Sequence, residues 1–264
     1  MGKLLLGRYL QGNSFVHRLD PRAKMILCFY FVLIVFLCNN WQTYLLLSAT
    51  TLLCAVLSKI KLSYFIKGVM PLIWLILFTV LLQVFFTRGG TVYWQFGPLT
   101  LTQFGLLNGV FVFCRFVLII FMSTLLTLTT PPLAIADATE SLMAPLKKIK
   151  VPVHEISLML SIALRFVPTL MDETTKIMNA QRSRGVDFSE GSLVKRIKAV
   201  IPLLIPLFVS ALTRAEDLAT AMEARGYRGG EGRTKYRRQI WQLKDTVSLV
   251  FFGLVTVGLI FLRN

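Results

Sequence analysis

Between Asp20 and Asp137 the chain contains no aspartate or glutamate, and most of its long apolar runs fall inside that interval. A soluble helix needs a charged face toward water, and a stretch without any acid, whose bases are gathered at a few points, has none. The whole chain is 55% hydrophobic and only 16% charged, with a mean hydropathy of +0.66. That is far more apolar than a soluble chain, and the bilayer is the solvent it fits. The 29 Lys and Arg outnumber the 13 Asp and Glu, for a net charge of +16. In a soluble protein this surplus would point to nucleic acid. Here the bases flank apolar runs, so they read as topology signals and contacts with membrane lipid, and no nucleic-acid partner is expected.

The four cysteines, Cys28, Cys38, Cys54 and Cys114, lie in apolar runs without CxxC spacing and read as small hydrophobes. Neither a disulfide, a metal site nor any cofactor is expected. The first 24 residues are too polar for a signal-peptide core, so the N-terminus is expected to stay in the mature protein.

Residues 25–58 carry no charge. As one helix they would run about 50 Å, against roughly 30 Å of hydrocarbon. The run must fold back, and Asn39-Asn40, followed by Trp41 and Tyr44 as interfacial aromatics, is the natural turn. Residues 68–87 form a third span, 106–129 a fourth and 246–262 a fifth, while Arg88-Gly89-Gly90 and Gly97-Pro98 read as a loop between the third and fourth. Bases orient the bundle: Lys3, Arg8, Arg18, Arg22 and Lys24 precede the first span, and Lys59, Lys61 and Lys67 lie in the second connection. The Asn39 turn has no base and the Arg88 loop has one, which places the N-terminus in the cytoplasm and the C-terminus outside. The reading is an all-α, polytopic protein of the cell membrane. It has a four-span bundle over residues 1–130, a cytoplasmic region of long amphipathic helices over 131–244, and a last span over 245–264.

Within the cytoplasmic region, residues 156–170 and 200–212 are nearly continuous hydrophobic runs. A membrane hairpin is one reading. Arg165 interrupts the first run, His154 and Glu155 flank it, and Pro202 and Pro206 fall in the second. These features favour long, kinked helices under the membrane.

Two segments in this region match: Ala180-Gln181-Arg182-Ser183-Arg184-Gly185 and Ala221-Met222-Glu223-Ala224-Arg225-Gly226. Each ends in a small residue, Arg and Gly. Glycine is the common first left-handed residue past a helix, and an Arg just before it sits where the helix dipole favours a cation. Two well-capped helices with basic ends would account for either copy alone. The pair together presents two guanidinium forks suited to two similar carboxylate-lined grooves, as on a two-lobed partner.

With these residues in view, the chain resembles a family. His17-Arg18-Leu19-Asp20-Pro21-Arg22-Ala23-Lys24, then Ala163-Leu164-Arg165-Phe166-Val167-Pro168, then 180–185, then 214–227 running Arg-Ala-Glu-Asp-Leu-Ala-Thr-Ala-Met-Glu-Ala-Arg-Gly-Tyr, are similar to the transmembrane T component of energy-coupling factor transporters. The likeness runs through nearly the whole chain, and Ser183 departs slightly from the alanine frequent there. It implies a non-catalytic scaffold that links ATP hydrolysis by a heterodimer of two ABC-type ATPases to uptake through a membrane-embedded, substrate-binding S component. The implied ATPase-docking residues are Ser183, Arg184 and Gly185 with Ala224, Arg225 and Gly226. The implied faces under the S component are Ile156, Met159, Leu160, Ala163 and Leu164, and Leu203, Leu204, Leu207 and Phe208.

Rival functions are weaker. No grouping of carboxylates and histidines suits a membrane enzyme, and no GxxxxGK[ST] is present, so no P-loop hydrolysis belongs to this chain. A stand-alone transporter lacks an intramembrane acid for an ion relay. A membrane-anchored binding protein would rest on the basic segment alone. Of the remaining polar residues, Arg115 lies inside the fourth span without an acidic partner there, and Gly105 and Gly109 form a GxxxG that marks close helix packing. His17 and His154 read as polar contacts, and Asp172-Glu173 and Glu216-Asp217 as partners of nearby bases.

Overall fold

The computed structural model describes residues 9–96, 99–186, 188, 192–229 and 239–263. Lys3, Arg8 and the Gly97-Pro98 pair, used above for topology, lie outside the described residues. The elements in order are α1 (Pro21–Val35), α2 (Trp41–Ser58), α3 (Leu62–Val69), α4 (Ile73–Phe86), β1 (Val92–Phe96), β2 (Leu99–Thr102), α5 (Gln103–Thr129), α6 (Pro132–Met143), α7 (Val153–Ser183), α8 (Leu193–Ala224) and α9 (Leu243–Arg263). Short 3₁₀ turns join α3 to α4 and follow α6.

Among the described residues, six helical stretches are long and apolar enough to cross a membrane: Trp41–Ser58, Leu62–Phe86, Gln103–Thr129, Val153–Ser183, Ile197–Ala224 and Leu243–Arg263. Four of them are the second to fifth spans read from sequence. The other two are α7 and most of α8, the apolar runs that sequence places under the membrane. The first expected span is a helix of only 15 residues, about 22 Å long. The protein is a multi-pass helical membrane protein. Its chain divides into two compact units, residues 1–138 with 238–264, and residues 139–237.

In the first unit, α5 is the central element, packed by α1, α2, α3 and α4, while α9 packs on α1 and α2. Phe31, Leu47, Leu118, Met122, Phe252 and Leu259 form the core where these helices meet. The Gly105-Gly109 pair sets the approach of α5 to α4. A Cβ at Gly105 would lie 2.5 Å from the Val84 carbonyl oxygen, and one at Gly109 2.6 Å from Val84 Cγ2. Small residues thus let the backbones meet, as the motif predicts.

The connection after α4 is a β-hairpin rather than the irregular loop expected from its glycines. Gln95 stands opposite Thr100 and Phe96 opposite Leu99 in an antiparallel pair. The run Val-Tyr-Trp-Gln-Phe has the aromatic and β-branched content of a strand, a signal the glycine punctuation obscures. Thr102 Oγ1 accepts from Gly105 N at 3.0 Å, capping α5, and donates to the Thr87 carbonyl at 2.8 Å. The hairpin therefore ties the end of α4 to the start of α5.

At the other end of this unit lies a buried polar clasp. Asp245, 0% exposed, accepts from Asp20 N through Oδ1 at 2.8 Å and from Gln242 N through Oδ2 at 2.8 Å. Asp20 caps α1 by accepting from Arg22 N at 2.8 Å, and it forms an ion pair with the Arg22 guanidinium at 2.9 Å. Arg22 also donates to the Gln239 carbonyl at 2.9 Å. Lys24, one residue ahead of the uncharged run, donates to the carbonyls of His17 at 3.3 Å and Thr129 at 3.0 Å and to Thr130 Oγ1 at 3.3 Å. Burial pushes the Lys24 ammonium down to about 8, against the pull of Asp245 and Asp20. The clasp thereby fastens the starts of α1 and α9 and the end of α5.

Replacing Asp245 with Ala strands two buried amides and removes one of the two carboxylates that face Arg22 and Lys24. Asp245→Ala is expected to destabilise the first unit by about 3 kcal/mol, read as a drop in thermal midpoint in detergent. Asp245→Asn, which keeps an acceptor, should lose less.

Candidate functional site

The second unit holds α7 and α8, packed on each other. They are joined by Arg214, which donates to Glu173 Oε2 at 2.8 Å, a base 41 residues away on the other helix rather than one nearby in sequence. Ten residues separate Glu173 from the end of α7 at Ser183, and ten separate Arg214 from the end of α8 at Ala224. Each is about 15 Å of helix at 1.5 Å per residue. Pro168 lies within α7, and Pro202 and Pro206 within α8, and both helices nevertheless run through. At the start of α7, Glu140 at the end of α6 accepts from Ser157 Oγ at 3.1 Å and stands 3.5 Å from His154 Nδ1.

The two Arg-Gly segments close their helices in the same way. After α7, Gly185 N donates to the Arg182 carbonyl at 2.9 Å and Val186 N to the Gln181 carbonyl at 3.1 Å. After α8, Gly226 N donates to the Glu223 carbonyl at 2.8 Å and Tyr227 N to the Met222 carbonyl at 3.0 Å. Both are Schellman closures, bond for bond. Gly185 and Gly226 have φ of +87° and +72°, and a Cβ at either position would meet no atom within 4 Å. Glycine is needed here for its left-handed backbone, not for space. Arg184 and Arg225 follow the last helical residue rather than occupying the last turn, and both are exposed. Ser183 Oγ donates back to the Asn179 carbonyl at 3.2 Å, so this small residue stays within its own helix. Arg182, exposed like Arg184, lies over the Phe188 ring at 5.9 Å.

The apolar faces are equally marked. On α7, Ile156, Met159, Leu160 and Ala163 are exposed, Met159 at 66%, while Leu164 is half-buried. On α8, Leu204 and Phe208 are exposed, Phe208 at 67%, and Leu207 is half-buried. Leu203, expected on the same face, is 7% exposed and lies within the packing of α8. Ile197, ahead of the run read from sequence, and Ile201, Ile205 and Leu212 within it are exposed as well. With Leu204 and Phe208 they recur every three or four residues, which is the available signal.

Two other singled-out residues resolve as polar contacts. His17 Nδ1 lies 2.6 Å from Ser14 Oγ and Nε2 3.0 Å from the Leu10 carbonyl, and burial pushes its imidazole below the ordinary value. Arg115 donates to Tyr44 Oη at 3.0 Å and stands over the Phe36 ring at 5.3 Å. Among the described residues no group of three or more His, Cys, Asp or Glu could hold a metal ion.

The fold and these paired ends define a multi-pass helical membrane protein that displays two matched, cationic helix termini on one unit. A family model described as cobalt transport protein (CbiQ) matches residues 12–236. The energy-coupling factor transporter transmembrane protein EcfT of Lacticaseibacillus paracasei is 65% identical over 97% of this chain and 98% of its own. The EcfT proteins of Streptococcus equi and Bacillus subtilis are 57% and 53% identical over 100% of this chain, and over 98% and 99% of their own lengths. The chain belongs to the family of energy-coupling factor transporter transmembrane proteins, and it is the transmembrane component of such a transporter.

Because the glycines serve backbone conformation alone, Gly185→Ala and Gly226→Ala should each cost about 1–2 kcal/mol locally. The expected readout is faster amide exchange at Gly185 and Val186, or at Gly226 and Tyr227, with the thermal midpoint of the first unit unchanged.

Proposed function

We propose that Arg184 and Arg225, with their flanking Ser183, Gly185, Ala224 and Gly226, dock the two ATPase subunits of the transporter. The observation that carries this reading is the duplicated Schellman closure, which fixes two exposed guanidinium groups in the same backbone setting. Two equivalent forks call for two similar grooves. The non-identical helix turns beside them, Gln181-Arg182 and Met222-Glu223, suit a heterodimer better than two identical lobes.

In this reading the exposed apolar residues of α7 and α8, Ile156, Met159, Leu160, Leu204 and Phe208 foremost, meet a membrane-embedded S component that binds the substrate. ATP binding draws the ATPases together, the docked helix ends follow, and the apolar faces slide under the S component to let it tilt and release substrate inward. The chain itself is non-catalytic and holds no cofactor. Its N-terminus is cytoplasmic and its C-terminus external, with residues 131–244 as the coupling region between the four-span part and the last span.

Arg184→Glu and Arg225→Glu should each lower ATPase co-purification severely, since removing one partner of a desolvated charge pair costs about 2–5 kcal/mol. Reversal adds repulsion to that loss. Both ATPases retained at wild-type levels by the double variant, together with normal vitamin or metal uptake in cells, would sink the proposal. Met159→Glu with Phe208→Glu should leave ATPase binding intact and release the S component, which separates the two surfaces in one pull-down.

A further inference from the structure

The first unit contains a cavity of about 220 Å³ at the end of the bundle that carries the clasp. Its walls come from α1, α2, α5 and α9 and from the segment just ahead of α1, with Leu27, Cys54, Met122 and Phe252 among them. Lys24 is the charged residue in the lining, and its three N–H groups are already directed at His17, Thr129 and Thr130. An apolar cavity of about 150 Å³ stays dry and takes a small hydrocarbon, so this larger one suits an apolar guest rather than water. The lining residues Leu53 and Leu57 of α2 and Val247 and Phe251 of α9 are themselves partly exposed. The cavity therefore opens on the side where these two membrane helices face their surroundings, which is lipid.

The rim is basic. Arg18 adjoins the lining Leu19 and is exposed, and Lys59, the left-handed cap of α2, lies two residues past the lining Leu57 and is exposed. Lys244 stands one helical turn ahead of the lining Val247 and Ser248, and it is close enough to Lys24 to oppose its charge. Among the described residues none of the three bases forms an ion pair. An apolar slot with three bases that form no ion pair so near its lining residues complements a molecule with an acyl chain and an anionic head.

We infer that this cavity holds one acyl chain of an anionic phospholipid, with its phosphate at Arg18, Lys59 and Lys244. The lipid belongs to the leaflet on the basic side of the bundle, whichever compartment that side faces, so the inference is independent of the docking surfaces above. Bound there, it would fill the gap between α2 and α9 and add its charge to the end of the bundle where the clasp lies.

The test is native mass spectrometry of the full chain extracted from nanodiscs of equimolar phosphatidylglycerol and phosphatidylcholine. The wild type should retain one phosphatidylglycerol in preference to phosphatidylcholine, and each of Arg18→Gln, Lys59→Gln and Lys244→Gln should lower that preference about fivefold. Leu57→Trp and Cys54→Phe, which fill the slot, should lose the retained lipid while eluting as monodisperse protein. Should both slot variants fail to fold, the Gln variants decide. Equal retention of the two lipids by the wild type, an unchanged preference in all three Gln variants, no retained lipid, or a retained lipid in well-folded slot variants would each overturn the inference.

Discussion

The membrane bundle depends on a carboxylate that lies outside its acid-free interval. Asp245 and Asp20 flank the apolar spans, and neither could enter hydrocarbon unpaired. They are placed instead where helices start, with Asp245 receiving two backbone amides and Asp20 receiving the first turn of α1 and the Arg22 fork. The bond from Asp20 N to Asp245 joins residues 225 positions apart. It brings α9, which follows the second unit in sequence, back beside α1 in the first. The acid-free spans are then free to pack by shape, with Phe31, Leu47 and Phe252 in the middle and glycines where α5 meets α4.

Arg115 shows how a lone charge is kept in such a bundle. With no acid nearby in sequence, it uses the Tyr44 hydroxyl and the face of Phe36, a hydrogen bond and a cation–π contact in place of an ion pair. Tyr44 in turn stacks on Phe111 at 5.0 Å between ring centroids. One charged residue is thus held by two aromatic side chains, Phe36 just past α1 and Tyr44 on α2.

Much of this was legible beforehand, for physical reasons. Hydropathy and length place the second to fifth spans because the bilayer fixes both, and Asn39-Asn40 marks the fold-back because polar residues end a span. The Arg-Gly ends were legible because a left-handed backbone position selects glycine. The remainder depends on contacts distant in sequence. Nothing local announces that Asp20 meets Asp245, that Arg115 meets Tyr44, or that Leu203 turns inward while Leu204 turns out. The β-hairpin was missed because glycines on both sides of the run 92–96 outweigh its five residues of strand-forming sequence. The shortness of α1 follows from its Pro21 start and its end at Val35, ahead of the polar turn, which together leave 15 helical residues.

The tie between Glu173 and Arg214 divides the outer parts of α7 and α8 equally, ten residues on each. Measured from that tie, the two helix ends are levers of equal length, whose tips travel the same distance for the same rotation. With arms of about 15 Å, a rotation of about 10° carries each tip about 2.6 Å. Equal levers mean that equal displacements of the two ends ask for the same rotation of each helix.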